Sequence, residues 1–268
     1  MERWFLLDDD SAPAAWNMAL DEFLLGMVEK RCTMPILRLY SFDPPAVTIG
    51  YHQAPALVLD MRAVVRDSID VARRFTGGRA LLHEEELTYC LVARTEAPPF
   101  DTHLRDAYRS ISSVLVLAIR TLGVEAAIAG GRHGPAERRL SRPCLDSVSR
   151  YEVAVRGRKI VASAQRRTRT ALLQHGSIFL TSASGRIAEY LSGDSYPLGD
   201  RLIGVNEELG AAIDAATLKR AIVGAFESSY GISFEPFKLS AGDREEVRRM
   251  ELEKRNECPV PLYRKVAL

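Results

Sequence analysis

Cysteine, net charge and long apolar runs are all scarce in this 268-residue chain. The four cysteines, Cys32, Cys90, Cys144 and Cys258, are widely spaced and form no C-x2-C or other metal-ligand pattern. A secreted disulfide scaffold would be smaller and denser in cysteine. A reduced, cytoplasmic protein without a metal site is expected. The 36 basic residues are matched by 35 acidic ones, giving a net charge of +1. Dedicated nucleic-acid binders usually carry a strong basic excess, so no nucleic-acid partner is expected; a local basic patch remains compatible with the count. No stretch approaches eighteen continuous apolar residues, which argues against a membrane partner or span. The run Trp4-Phe5-Leu6-Leu7 is too short, and too soon followed by Asp8-Asp9-Asp10, to read as a signal peptide. Repeats and low-complexity tracts are also missing.

What remains is ordinary globular composition, 47% hydrophobic and 26% charged. Residues 2–8 read as a strand. Ser11 is a good N-cap and Pro13 suits a first helical turn, so a helix is predicted from there to about Lys30. Trp16, Leu20, Phe23, Leu24 and Met27 form its apolar stripe. Asn17 and Asp21 share the neighbouring face, for which solvation is the plainer reading. Strands are predicted over 35–41, 46–51, 71–75 and 86–94, and a helix over about 101–122, capped by Asp101 or Thr102. Residues 129–143 lack periodicity and read as a mobile loop. A meander follows over 151–156, 159–167 and 171–180, then helices at about 184–192, 214–229 and 240–255 and an extended tail from Cys258. Strands mixed with helices, without strict βαβ alternation, predict an α+β fold. The expectation is one domain over 1–268, with a helical C-terminal extension from about 214.

Within the meander Ala162, Ser163, Ala164, Gly176 and Ser177 interrupt the strands. Small residues there often mark close approach by a ligand or another backbone. Three stretches carry chemistry. The first pairs Cys144, in the polar run Cys144-Leu145-Asp146-Ser147, with Lys159 of Gly157-Arg158-Lys159, fifteen positions on. A lone free cysteine usually behaves as a small buried hydrophobe. Following Arg142-Pro143 and beside Asp146, this one is poorly placed for packing. The thiolate is the nucleophilic form, and a nearby cation favours it. The second stretch is Arg73-Arg74-Phe75-Thr76-Gly77-Gly78-Arg79, followed by His83. Its glycine pair is a plain turn, or an exposed N–H pair that holds an anion or a polarised carbonyl among three arginines. The third is Gln174-His175-Gly176-Ser177-Ile178. His175 is suited to proton transfer, although a single histidine in a strand is commonly structural.

In this order, together with Trp16-Asn17-Met18-Ala19-Leu20-Asp21-Glu22, Val47-Thr48-Ile49-Gly50-Tyr51 and Glu86-Leu87-Thr88-Tyr89, these stretches resemble the biotin/lipoate protein ligase and transferase family. Within it the chain looks most like the octanoyl-carrier-protein:protein octanoyltransferases of the LipM type. The resemblance implies the family's catalytic fold, with mixed and antiparallel sheets flanked by helices. It implies that Cys144 accepts the acyl group and that Lys159 is its catalytic partner. Arg73, Arg74, Thr76, Gly77, Gly78 and Arg79 would line the acyl slot, with His83, Ser163, Ala164, Gln165, His175 and Gly176 in motifs of the same cleft. Ligases of the family usually carry a third glycine where this chain has Arg79, and generally lack a counterpart of Cys144; both departures point to the transferase branch. Glu84 stands where many relatives have Asp.

The implied reaction moves octanoyl from acyl carrier protein through a Cys144 thioester to a lysine of a lipoyl domain, such as that of glycine-cleavage H protein or a dihydrolipoyl acyltransferase subunit. Thioester exchange is nearly energy-neutral, so no cofactor is expected. ATP and magnesium would enter only if the chain were instead a lipoate–protein ligase of the same fold. An amidotransferase between lipoyl-bearing proteins and a non-catalytic binding module are two further readings. A biotin ligase–repressor would need an N-terminal helix-turn-helix, for which residues 1–10 leave no room.

Overall fold

The computed structural model describes residues 2–101, 103–130, 151–192 and 201–258. In chain order its elements are β1 (Glu2–Ala12), α1 (Ala14–Lys30), β2 (Ile36–Phe42), β3 (Ala46–Ile49), α2 (Pro55–Val58), α3 (Met61–Arg66), β4 (Asp70–Arg73), β5 (Leu81–His83), β6 (Glu86–Arg94), α4 (Leu104–Thr121) and β7 (Ala127–Ile128). There follow β8 (Val153–Val155), β9 (Arg158–Arg167), β10 (Ala171–Phe179), a 3-10 helix (Ser182–Tyr190), α5 (Val205–Leu209), α6 (Ala215–Tyr230), β11 (Ile232–Pro236) and α7 (Ala241–Glu257). The eight-stranded sheet runs β11-β1-β2-β6-β10-β9-β8-β7, and a three-stranded sheet runs β4-β3-β5. Both are mixed. In the large sheet β1 lies parallel to β11 and β2, whereas β2, β6, β10, β9 and β8 are successively antiparallel. In the small one β3 is parallel to β4 and antiparallel to β5. This is the expected α+β class.

The large sheet is buried on both faces. Behind it, Leu37, Leu39, Leu87, Tyr89 and Leu91 meet Ile111, Leu115 and Ile119 of α4 and Ile222 and Phe226 of α6. In front, one cluster joins α1 to Tyr40, Cys90, Val92 and Leu173, and another joins the small sheet to Ala162 and Phe179. Cross-strand register aligns two rows on the front face. One is Ala162–Ser177–Thr88–Tyr40, and the other is Ala164–His175–Cys90–Arg38. Directly opposed residues of antiparallel strands share a face, so each row crosses four strands.

Several boundaries differ from expectation. The first helix begins at Ala14, not at a Ser11 cap: Ser11 still pairs with β2, and the Ala14 N–H is held by Asp70 Oδ2 at 2.8 Å, from β4. A cap supplied from 56 positions away leaves no local signature. The predicted helix over 184–192 is a 3-10 helix. The short elements α2, α3, β5 and β11 had no sequence counterpart, since three to six residues are too few to display a period. The predicted loop is described only to Gly130, and its remainder, Thr102 and the tail beyond Cys258 lie outside the described residues.

Candidate active site

Lys159 is fully buried, and its Nζ donates to Glu152 Oε1 at 2.9 Å in an ion pair whose acid is also buried. A β-bulge aims it. Val153 pairs with Val161 but Ala154 pairs with Lys159, so β9 holds one extra residue. Ile160 and Val161 therefore both enter the core behind the sheet, while Ala162 faces forward. The slip turns Lys159 onto the front face with Ala162 and Ala164; without it, strict alternation would send the ammonium backwards.

On that front face lies a narrow cavity of about 30 Å³ that opens to solvent. The first row, with Ala164 and His175 of the second, forms its floor. Arg74, Leu81 and His83 from the small sheet and its adjoining loop roof it, and Met18 from α1 lines it as well. Many of these side chains are polar, yet their polar atoms bond to groups outside the lining. Tyr40 donates to Asp21 Oδ2 at 2.8 Å, and Thr88 donates to Glu86 Oε1 at 2.6 Å. His83 places Nδ1 2.6 Å from Glu86 Oε1 and Nε2 2.6 Å from Thr48 Oγ1. His175 places Nδ1 2.9 Å from Asp21 Oδ2 and Nε2 2.8 Å from Thr76 Oγ1. What faces the cavity is then ring, methyl and methylene surface, fit for an alkyl chain.

The helix face carrying Asn17 and Asp21 is not solvated. Both residues are buried and enclose Arg38, which donates to Asp21 Oδ1 at 2.7 Å, to Asn17 Oδ1 at 2.7 Å and to Asp9. Burial raises the Asp21 pKa, but the His175 hydrogen bond and the Arg38 charge outweigh it, so the carboxyl lies below its ordinary value. Burial pushes His175 below its ordinary pKa, against the pull of Asp21. The imidazole is thus neutral, its Nδ1–H donating to Asp21 and its Nε2 accepting from the Thr76 hydroxyl. Desolvation followed by the Asp21 charge drives the Cys90 thiol well up, which makes it an inert core residue.

The unfolded chain protonates His175 near its ordinary pKa of about 6.5, and the folded chain does so only at lower pH. Below about pH 6.5 the unfolded state therefore binds more protons, and stability falls as pH drops, by up to about 1.4 kcal/mol per pH unit. Urea titrations at several pH values should give this slope in the wild type and a shallower one in His175→Gln. Equal slopes would contradict a buried neutral imidazole.

Two of the three arginines around the glycine loop are engaged with its own backbone and that of the neighbouring strand end. Arg74 donates to Thr48 O, Thr48 Oγ1, Gly77 O and Arg79 O, and Arg73 donates to the carbonyls of Gly50, Tyr51 and Gln53. Both guanidinium groups brace the loop. Gly78 has φ +95°, and a Cβ on Gly50 would meet the Gly78 oxygen at 2.0 Å, so two glycines permit the close crossing of strand and loop. Arg166 pins the loop from β9, its guanidinium 4.0 Å from the Phe75 ring centroid and bonded to the Phe75 carbonyl.

Of the sequence candidates, Arg74, His83, Ser163, Ala164, His175 and Gly176 border the cavity. Arg73, Thr76, Gly77, Gly78 and Arg79 belong to the loop beside it. Gln165 turns to the rear face, where it donates to Gln174 Oε1 at 2.9 Å. Cys144 lies outside the described residues. Sequence reasoning gave no site role to Glu152, Asp21, Arg38, Tyr40, Thr88 or Met18, and read the Asp21 face as solvated. An arginine within an otherwise apolar strand, Ile36-Leu37-Arg38-Leu39-Tyr40, was the signal available for the buried ion network.

Among the described residues no group of three or more His, Cys, Asp or Glu is arranged to hold a metal ion, and no helix is long and apolar enough to cross a membrane.

Comparison with known proteins agrees with this architecture. The family model described as the lipoyl protein ligase A/B catalytic domain matches residues 13–227. Octanoyltransferase LipM of Moorella thermoacetica is 36% identical over 257 residues, covering 93% of this chain and 94% of that one. Octanoyltransferase LipM of Bacillus subtilis is 31% identical over 261 residues, covering 93% and 94%. A crystal structure of lipoate-protein ligase A bound with ATP superposes with a TM-score of 0.80 at 21% identity, over 94% of this chain and 95% of that one. A putative lipoate protein ligase from T. acidophilum with bound lipoic acid gives 0.77 at 20% identity, over 94% and 95%. With the family model spanning most of the chain and the curated relatives matching almost end to end, the chain belongs to the lipoyl protein ligase A/B catalytic-domain family.

Proposed function

We propose that this chain, acting as one catalytic domain, transfers an octanoyl group from an octanoyl-carrier thioester to a lysine side chain of a lipoyl domain, in line with the octanoyltransferase name of its LipM relatives. The observation that carries the reading is a buried ion-paired lysine on the same strand face as the alkyl-lined cavity, with Ala162 and Ala164 leading from one to the other. Cys144 is the proposed nucleophile. Its thiolate adds to the thioester carbonyl, the carrier thiolate leaves, and octanoyl-Cys144 forms. The acceptor amine then attacks this second thioester, giving an amide and restoring the thiol. Dividing the transfer into two similar steps is the usual gain of covalent catalysis. Lys159 supplies the cation that favours the thiolate in each step. Transfer from one thioester to another, and then to an amide, needs no ATP to drive it.

Incubation with octanoyl-carrier protein, without ATP, should give an octanoyl adduct on intact protein that is lost in Cys144→Ser. The adduct should discharge on addition of a lipoyl domain. Absence of the adduct, together with lipoate-driven ATP–pyrophosphate exchange, would replace the transferase with a ligase.

A further inference from the structure

Resting on the acyl-transfer reading, the cross-strand row beneath the cavity has the properties of a ruler. Its members Ala162, Ser177, Thr88 and Tyr40 stand on β9, β10, β6 and β2 in direct register. The β9 end is the more open one: beyond the buried Ala162, Ser163 and Ala164 are half-buried. The β2 end is closed: Met18, Tyr40 and Thr88 are 2%, 0% and 3% exposed. Three interstrand gaps of about 4.8 Å make the row about 14 Å long. An extended eight-carbon acyl chain, from ordinary bond lengths and angles, spans about 9 Å. The remaining ~5 Å is the depth occupied by side chains at the closed end.

That end differs in stiffness from residue to residue. Tyr40 is held by its bond to Asp21 and by the Arg38 guanidinium, 3.8 Å from its ring centroid. Behind Thr88 stands Glu86, tied to His83, and the Glu86 Oε2 atom is buried without a hydrogen-bond partner among the described residues. A longer chain would drive methylenes against this closed polar backing. Met18 is the apolar member of the group, packed at 2% exposure, and its truncation opens space there without breaking a hydrogen bond.

We propose that Met18 and Thr88 set the acyl-chain length this protein accepts, Met18 as the stop at the end of the slot and Thr88 as the small residue that keeps its last third open. Neither residue touches the reacting atoms; both act on which substrate fits.

The test is the rate of transfer from carrier thioesters of six, eight, ten and twelve carbons. Wild type should peak at eight. Met18→Ala removes three heavy atoms from the stop, so the optimum should move to ten carbons, with the ten-to-eight ratio rising about tenfold or more. Thr88→Leu should move it the other way, raising the six-to-eight ratio by about the same factor. Thermal melts identify a variant that does not fold, in which case the other carries the decision. A wild type that transfers octanoyl while both folded variants keep its length profile overturns this inference alone. A wild type that transfers no acyl chain of any length overturns the acyl-transfer reading and this inference with it.

Discussion

Lys159→Met is expected to reduce octanoyl transfer by about 10²- to 10⁴-fold, the usual span for loss of a positioned group that acts on proton or charge in the transition state. Methionine keeps the length and apolar stem of lysine and removes only the ammonium. It leaves Glu152 as a buried carboxylate without its cation, and breaking a buried pair in this way costs roughly 3–5 kcal/mol. Activity and stability should therefore fall together in the single variant. Pairing the change with Glu152→Gln separates them: the double variant removes the stranded charge, so its melting temperature should recover towards wild type while its rate does not. Intact-mass assay of the acyl adduct and a thermal melt on the same samples check both halves. Wild-type turnover in folded Lys159→Met would sink the assignment.

Asp21→Ala is expected to carry the largest stability loss of any change on the first helix, again roughly 3–5 kcal/mol. Asp21 accepts from Arg38, Tyr40 and His175 at once, and the Arg38 side chain is fully buried. Removing the carboxylate leaves the buried guanidinium with only Asn17 and the half-buried Asp9, and frees an imidazole and a phenol beside the slot. For a chain of this size that corresponds to a melting-temperature drop of about 6–20 °C. A solvated helix face at this residue would give a change within about 0.5 kcal/mol. The two outcomes are far enough apart for one calorimetric scan to choose. The same variant should transfer octanoyl more slowly, because His175 loses the partner that fixes its ring against Thr76.

Much of the fold could be read in advance where the signal is local. The long amphipathic helix α4 and the strands β2, β6, β9 and β10 show in the spacing of their apolar residues. The order of short motifs from Trp16 to Ile178 pointed to the family. Other features left no local trace. The cap on α1 comes from Asp70, and the partners of Arg38 come from β1 and α1. Asn17 and Asp21 look solvent-facing on a helical wheel because the wheel does not contain the buried arginine that they face.

By itself the sequence determined which chemical groups this protein owns and in what order: a thiol, a lysine, two histidines, a glycine loop and a run of small residues. Only the tertiary structure decided which way those on the strands point. A single inserted residue at Ile160 turns Lys159 from the back of the sheet to the front, and antiparallel register lays Ala162, Ser177, Thr88 and Tyr40 in one row. Side chains alternate between faces with period two, so a slip of one residue exchanges core for cavity. Pairing between strands distant in the chain sets that parity, and no local pattern encodes it.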